Sequence, residues 1–217
     1  MIKTLSIALI LIFNSFVVNA QTIGSYKSGY KKQGNTLSFL TSNGAVKFEF
    51  CTPDIFRIRA SWNGKFEAQE NLIVNNYNWP LVNAKVAEMK DHFLLTTAKL
   101  MVKLYKNSFK IDVFDINGNL LSSEVDKGTL KEGNAVGVTK KLAADEHFFG
   151  FGERMDFMDR RSKKVSLNVG RGKGLPHAIG AYNILEANYC PVPFFMSTKG
   201  YGIFMHNSFA TNWGYGG

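Results

Sequence analysis

The sequence predicts an all-β fold, an antiparallel β-sandwich, on three observations. Apolar and polar residues alternate with period two from Thr36 to Phe114, the mark of strands with one buried face. Turn-forming residues interrupt that alternation at short intervals. No sustained 3.6-residue pattern runs beside it, so the strands have one another to pack on and no helices.

Taken along the chain, the elements follow from these signals. Lys3, the apolar run from Leu5 to Val18 and the small residues Val18-Asn19-Ala20 form an export signal with a cut near Ala20-Gln21. The run is shorter than the roughly 20 residues a membrane-spanning helix needs. Residues 1–20 are therefore read as a signal peptide and residues 21–217 as one domain, which has no Pro/Ser-rich linker and no internal repeat. The expected location is secreted or periplasmic, with no membrane attachment after cleavage.

Ala45 to Phe50 alternates cleanly, Thr52-Pro53-Asp54 turns the chain, and Phe56 to Ala60 alternates again up to a turn at Trp62-Asn63-Gly64. Glu67 to Val74 carries a short helical pattern but runs into Asn75-Asn76, so it reads as loop. Leu100 to Tyr105 is a further strand. Asn117-Gly118, set between Ile111-Asp112-Val113-Phe114 and Leu120-Leu121, is a strong hairpin signal. By strand parity Phe48, Phe50, Phe114, Phe194 and Phe204 belong to the core.

The net charge is +9, with the basic residues scattered. The densest run, Arg160, Arg161, Lys163 and Lys164, reads as a solvated loop, and no nucleic-acid partner is expected. Positive charge favours acidic polysaccharides or an anionic cell surface among extracytoplasmic partners. Two cysteines, Cys51 and Cys190, allow either one long-range bridge or two separately buried thiols. The four histidines, His92, His147, His177 and His206, make no ligand pair at helical or hairpin spacing, so no metal and no cofactor are expected.

Phe148-Phe149-Gly150-Phe151-Gly152-Glu153-Arg154 is followed by Pro193-Phe194-Phe195-Met196-Ser197 and then Gly200-Tyr201-Gly202-Ile203-Phe204 with Asn207. These blocks, in this order, resemble the N-terminal β-sandwich of glycoside hydrolase family 31, the α-glucosidases and α-xylosidases. Phe56-Arg57-Ile58-Arg59 and the Phe109 to Gly118 hairpin are similar to earlier strands of the same domain. The resemblance covers roughly residues 36–212. It implies a galactose mutarotase-like supersandwich, incomplete at its C-terminal end, with apolar surface exposed on strands such as Ile203 to Met205. Gly150 and Gly152 let the backbone run close to a neighbouring strand.

The resemblance also implies that the loop before the Pro-Phe strand helps form a sugar site. In that place stands Leu167-Asn168-Val169-Gly170. Asn168 matches the family pattern, while Gly170 stands where an Asp is usual and Leu167 replaces an aromatic residue. Asn168 is thus a candidate substrate-binding residue, with Arg171, Lys173 and His177 as further donors and Trp79, beside Pro80, as a candidate exposed stacking platform. Trp62, Tyr182 and Trp213 are weighed with it, most rings being expected in the core.

Retaining glycoside hydrolysis needs two carboxyl groups about 5 Å apart. The family carries both on a catalytic (β/α)8 barrel that follows the sandwich. None of the carboxylates here is read as catalytic: Asp145-Glu146 look like solvent charges, and Glu153 is expected to pair with Arg154, Arg160 or backbone amides. The leading expectation is a non-catalytic N-terminal portion of a secreted α-glucoside or α-xyloside hydrolase, supporting a barrel and contributing to carbohydrate binding. A free-standing carbohydrate-binding sandwich is the alternative. An aldose epimerase ranks third, since no His stands in an evident strand partnership with a Glu.

Overall fold

A computed structural model describes residues 20–68, 73–154, 156–168 and 188–216. No helix occurs among them. The strands, in chain order, are β1 (Gln21–Thr22), β2 (Tyr26–Gln33), β3 (Thr36–Thr41), β4 (Gly44–Thr52), β5 (Ile55–Ser61), β6 (Lys85–Glu88), β7 (His92–Thr96) and β8 (Leu100–Tyr105). There follow β9 (Ile111–Asp115), β10 (Leu120–Glu132), β11 (Ala135–Lys140), β12 (Phe148–Arg154), β13 (Lys164–Leu167), β14 (Asn188–Ser197), β15 (Tyr201–Phe204) and β16 (Thr211–Gly214).

Two sheets enclose a first core. One is four-stranded in the order β2-β3-β4-β5; the other is seven-stranded in the order β1-β10-β9-β8-β7-β6, with β11 also paired to β10. The inward residues are those alternation selects: Leu37 and Phe39 on β3, Val46, Phe48 and Phe50 on β4, Phe93 and Leu95 on β7, Val102 and Leu104 on β8. Each such side chain contributes about 1.5–3 kcal/mol on leaving water. Aromatic edges set the packing, with Tyr26 and Phe39 at 5.0 and 5.1 Å from Phe93 between ring centres. The expected hairpin at Asn117-Gly118 joins β9 to β10, and Asp115 Oδ1 accepts the amides of Asn117 and Asn119 to hold the turn.

A second, smaller core lies between a three-stranded sheet, β12-β14-β15, and the pair β13-β16. It consists of Phe148, Phe151, Val165, Leu167, Phe195 and Tyr215, with Tyr201, Ile203 and Trp213 packed against it. Sandwich layering is thus present twice, and both layers are antiparallel.

Three expected core rings are placed differently. Phe114 is only half-buried, with Lys103 Nζ 5.1 Å from its ring centre. Phe194 and Phe204 are 36% and 39% exposed. Consecutive residues of a strand face opposite ways, and the pairing of Gly150 with Phe195 turns Phe195 inward. Phe194, and Phe204 opposite it across the ladder, therefore face out. Residues 67, 68, 73 and 74 of the short helical pattern are non-helical, as read from sequence; residues 69–72 lie outside the described ones.

Both thiols are free, and they differ: Cys51 is buried whereas Cys190 is exposed, so neither the bridge nor the pair of buried thiols is found. Among the described residues no helix is long and apolar enough to cross a membrane.

Candidate functional site

The Gly-rich strand β12 is built around a close crossing. A Cβ on Gly152 would sit 1.8 Å from the Cys190 carbonyl oxygen, and one on Gly150 would sit 2.5 Å from that of Phe194. Both glycines have positive φ, 80° and 135°, so only glycine fits on either ground. Between them the register shifts: Gly150 faces Phe195 and Gly152 faces Pro191, a bulge on β14. Phe151, held between them at φ 75°, is fully buried and touches Phe195, Trp213 and Tyr215.

The charges around this strand are structural. Asp156, not Glu153, collects the arginines: it accepts Arg154 Nε at 2.9 Å and Arg154 Nη2 at 2.6 Å through one oxygen, and Arg160 Nη1 through the other. Glu153 is exposed. Burial alone would raise the Asp156 carboxyl, but hydrogen bonds from the two guanidinium groups outweigh it and hold the group below the usual range. Arg160 is 4% exposed, and Arg161 Nη1 donates to the carbonyls of Ala143 and Glu146. The basic run is therefore not a solvated loop throughout: its two arginines are held by Asp156 and by backbone carbonyls, while Lys164 stays exposed.

Glu146 corrects a second expectation. It is 3% exposed, accepting Ser197 Oγ at 2.5 Å, Tyr201 Oη at 2.8 Å and the Ala143 amide at 3.2 Å. Burial, and after it the Glu146 hydrogen bond, push the Tyr201 phenol well above its ordinary value. Asp145 remains a surface charge, paired with Lys199 at 2.7 Å.

The outer face of β14 and β15 is the notable surface. Val192, Phe194, Met196 and Phe204 are 38%, 36%, 53% and 39% exposed, and the Phe194 ring lies over Gly202, where a Cβ would come within 2.8 Å of it. Exposure here falls on Phe204; Ile203 packs against the second core and Met205 is half-buried. Phe204 continues into a stack with His206, ring centres 5.7 Å apart at 21°. His206 in turn stacks on Tyr77 at 6.2 Å and 24°, and Tyr77 lies 5.2 Å from the Arg57 guanidinium.

Of the candidate sugar-contacting residues, Asn168 is exposed directly after β13, whose last residue Leu167 pairs with Thr211. Arg171 and His177 lie outside the described residues, as does Tyr182. Trp79 is half-buried rather than an open platform, with its indole nitrogen buried and lacking a hydrogen-bond partner. It belongs to the segment between β5 and β6, which Asn35 anchors by donating to the Pro80 carbonyl and accepting the Val82 amide. Asn168 thus follows β13, beside the second core, while Trp79 belongs to the segment that Asn35 of the first sheet's β2-β3 turn holds. Trp62 and Trp213 are half-buried, one donating to the Thr22 carbonyl and the other to Thr211 Oγ1. Among the described residues no group of three or more His, Cys, Asp or Glu side chains gathers as metal ligands would.

Residues 45–213 match the glycosyl hydrolase 31 N-terminal galactose mutarotase-like domain. The chain belongs to that family. This family 31 domain is 29% identical over 181 residues to alpha-glucosidase 2 of Bacillus thermoamyloliquefaciens, a match covering 82% of this chain and 22% of that enzyme. It is 28% identical to a family 31 dextranase of Flavobacterium johnsoniae, solved in complex with isomaltotriose, with a TM-score of 0.79 over 90% of this chain and 24% of the dextranase. An uncharacterized protein of Listeria monocytogenes, solved in complex with glucose, shares the fold at 22% identity and a TM-score of 0.68, covering 89% of this chain and 18% of that one. The chain thus spans under a quarter of the length of each of these relatives.

Proposed function

We propose that residues 21–217 serve as the N-terminal sandwich of an α-glucoside-cleaving family 31 hydrolase, exported from the cytoplasm through the signal at residues 1–20. The domain packs its β14-β15 face against a catalytic (β/α)8 barrel, and Asn168 borders the sugar entrance. Glycoside cleavage belongs to the barrel. The two best-placed carboxylates here, Glu146 and Asp156, are committed to Ser197, Tyr201, Arg154 and Arg160, which leaves neither free to attack or to protonate a sugar.

The observation that carries the reading is the outward row of Val192, Phe194, Met196 and Phe204. Contiguous exposed apolar side chains on one sheet face are what a permanent partner covers. The supporting chemistry is that of the relatives, an alpha-glucosidase and a dextranase.

Two measurements test this. Reading the coding DNA beyond codon 217 is expected to reveal barrel sequence; a stop followed by an unrelated gene would overturn the reading. Turnover of 4-nitrophenyl α-glucoside by the purified 217-residue chain alone would overturn it as well.

A further inference from the structure

Alternation in β3, β4 and β5 sends Thr36, Lys47, Glu49, Arg57 and Arg59 to the face of the four-stranded sheet opposite the first core. The ladder makes them neighbours, pairing Lys47 with Arg59, Glu49 with Arg57 and Thr36 with Glu49. A face turned away from the core is ordinarily open to water. Here every one of the five is half-buried, and Phe66 and Tyr77 from the chain after β5 lie against three of them. Phe66 lies 4.7 Å from Lys47 Nζ and 5.3 Å from the Arg59 guanidinium, and Tyr77 covers Arg57. The five side chains line a small, open cleft of about 70 Å³ on this sheet face.

Among the described residues, three cations share this face with one carboxylate, Glu49, and Arg59 Nη2 also donates to the Glu67 carbonyl at 2.6 Å. Glu49 is a loose partner, 3.7 Å from Arg57 Nε and 3.5 Å from Thr36 Oγ1. The Arg57 side chain is only 19% exposed. Among the described residues its terminal amines and Lys47 Nζ meet aromatic faces and no acceptor. Cations crowded on one half-buried face with few acceptors favour an incoming anion. Burial, and then the neighbouring Arg57 charge, depress the Arg59 guanidinium from its ordinary value, with Glu49 and Glu67 acting the other way.

We propose that this cleft binds an oxyanion, and that its occupant is the carboxylate or sulfate of an acidic saccharide. Arg57 and Arg59 supply planar forks suited to such a group, Lys47 a third positive charge and Thr36 a hydroxyl for a ring oxygen. The oxyanion half of this assignment rests on the cleft alone; the saccharide half rests also on the function proposed above. The site is separate from the β14-β15 face and lies on a different sheet.

The test is calorimetric titration of the 217-residue chain with glucuronate, glucose and sodium sulfate at one ionic strength. Glucuronate is expected to bind while glucose gives no heat, and Lys47→Gln and Arg57→Gln are each expected to weaken glucuronate by about ten- to a hundredfold. Lys47, whose amine meets only the Phe66 ring among the described residues, carries the comparison if loss of Arg57 lowers the melting point. Sulfate binding without glucuronate binding would keep the oxyanion site, assign it to a free anion and overturn the saccharide. No heat from either anion, or binding unchanged in both variants, would overturn the site itself without touching the function proposed for the domain.

Discussion

Tyr77 and His206 stack with their ring centres 6.2 Å apart, although 129 residues separate them in sequence. The pair joins the segment covering the cationic cleft to the strand end beside the exposed β14-β15 face. One ring contact thus ties the two halves of the molecule.

Replacing Tyr77 by Ala removes that tie and uncovers Arg57. The expected cost is about 1–2 kcal/mol, and the clearer effect is local. Limited proteolysis is expected to cut the segment between β5 and β6 faster in the variant than in the parent chain. Equal cutting rates would show that the stack does not hold the segment.

Asp156→Ala leaves Arg154 and Arg160, 6% and 5% exposed, without their shared partner. Removing one member of a buried ionic group costs about 3–5 kcal/mol, which denaturant titration resolves easily. The pH dependence has a fixed sign. The folded carboxyl lies below its unfolded value, so its contribution is complete above about pH 4 and is lost as pH falls through the folded value. Acid titration of stability is expected to lose part of its slope below pH 4 in the variant.

Gly152→Ala sets a Cβ against the Cys190 carbonyl at φ 80°, whereas Gly133→Ala, at φ 58°, meets nothing within 4 Å. The second substitution carries only the left-handed backbone cost of about 1–2 kcal/mol. The first adds a backbone clash that forces β12 and β14 apart, and is expected to cost several times as much. Thermal melts of the two variants give the comparison.

The two thiols are expected to label at very different rates. Burial, with Glu49 adding to it, pushes the Cys51 thiol up to about 11, while Cys190 is exposed. The thiolate is the reacting form, so at pH 8 a maleimide is expected to modify Cys190 promptly and Cys51 only after denaturant is added. Mass mapping of the labelled peptides checks this.

The parts of the fold legible in the sequence are those set by short-range chemistry. Alternation placed β4, β5 and β8, and Asn117-Gly118 placed the β9-β10 turn. The glycine crossing at Gly150 and Gly152 was readable for the same reason. What escaped was set by partners distant in sequence. Glu146 looks like a solvent charge beside Asp145, and nothing local shows that Ser197 and Tyr201, 51 and 55 residues on, close over it. Phe194 and Phe195 are interchangeable until the β12-β14 register decides which turns inward. Asp156 with Arg160 carried an i,i+4 signal that could have flagged the arginine cluster. The cleft at Lys47, Arg57 and Arg59 was hidden because its cover arrives from a segment with no strand pattern.

The two apolar clusters have no member in common. Cooperativity in unfolding comes from shared contacts, so the two clusters are expected to melt in separate steps in spite of the Tyr77–His206 stack. Trp62 packs against the first and Trp213 against the second, which gives each unit a native fluorescent reporter and makes a single melting temperature an incomplete description of this chain.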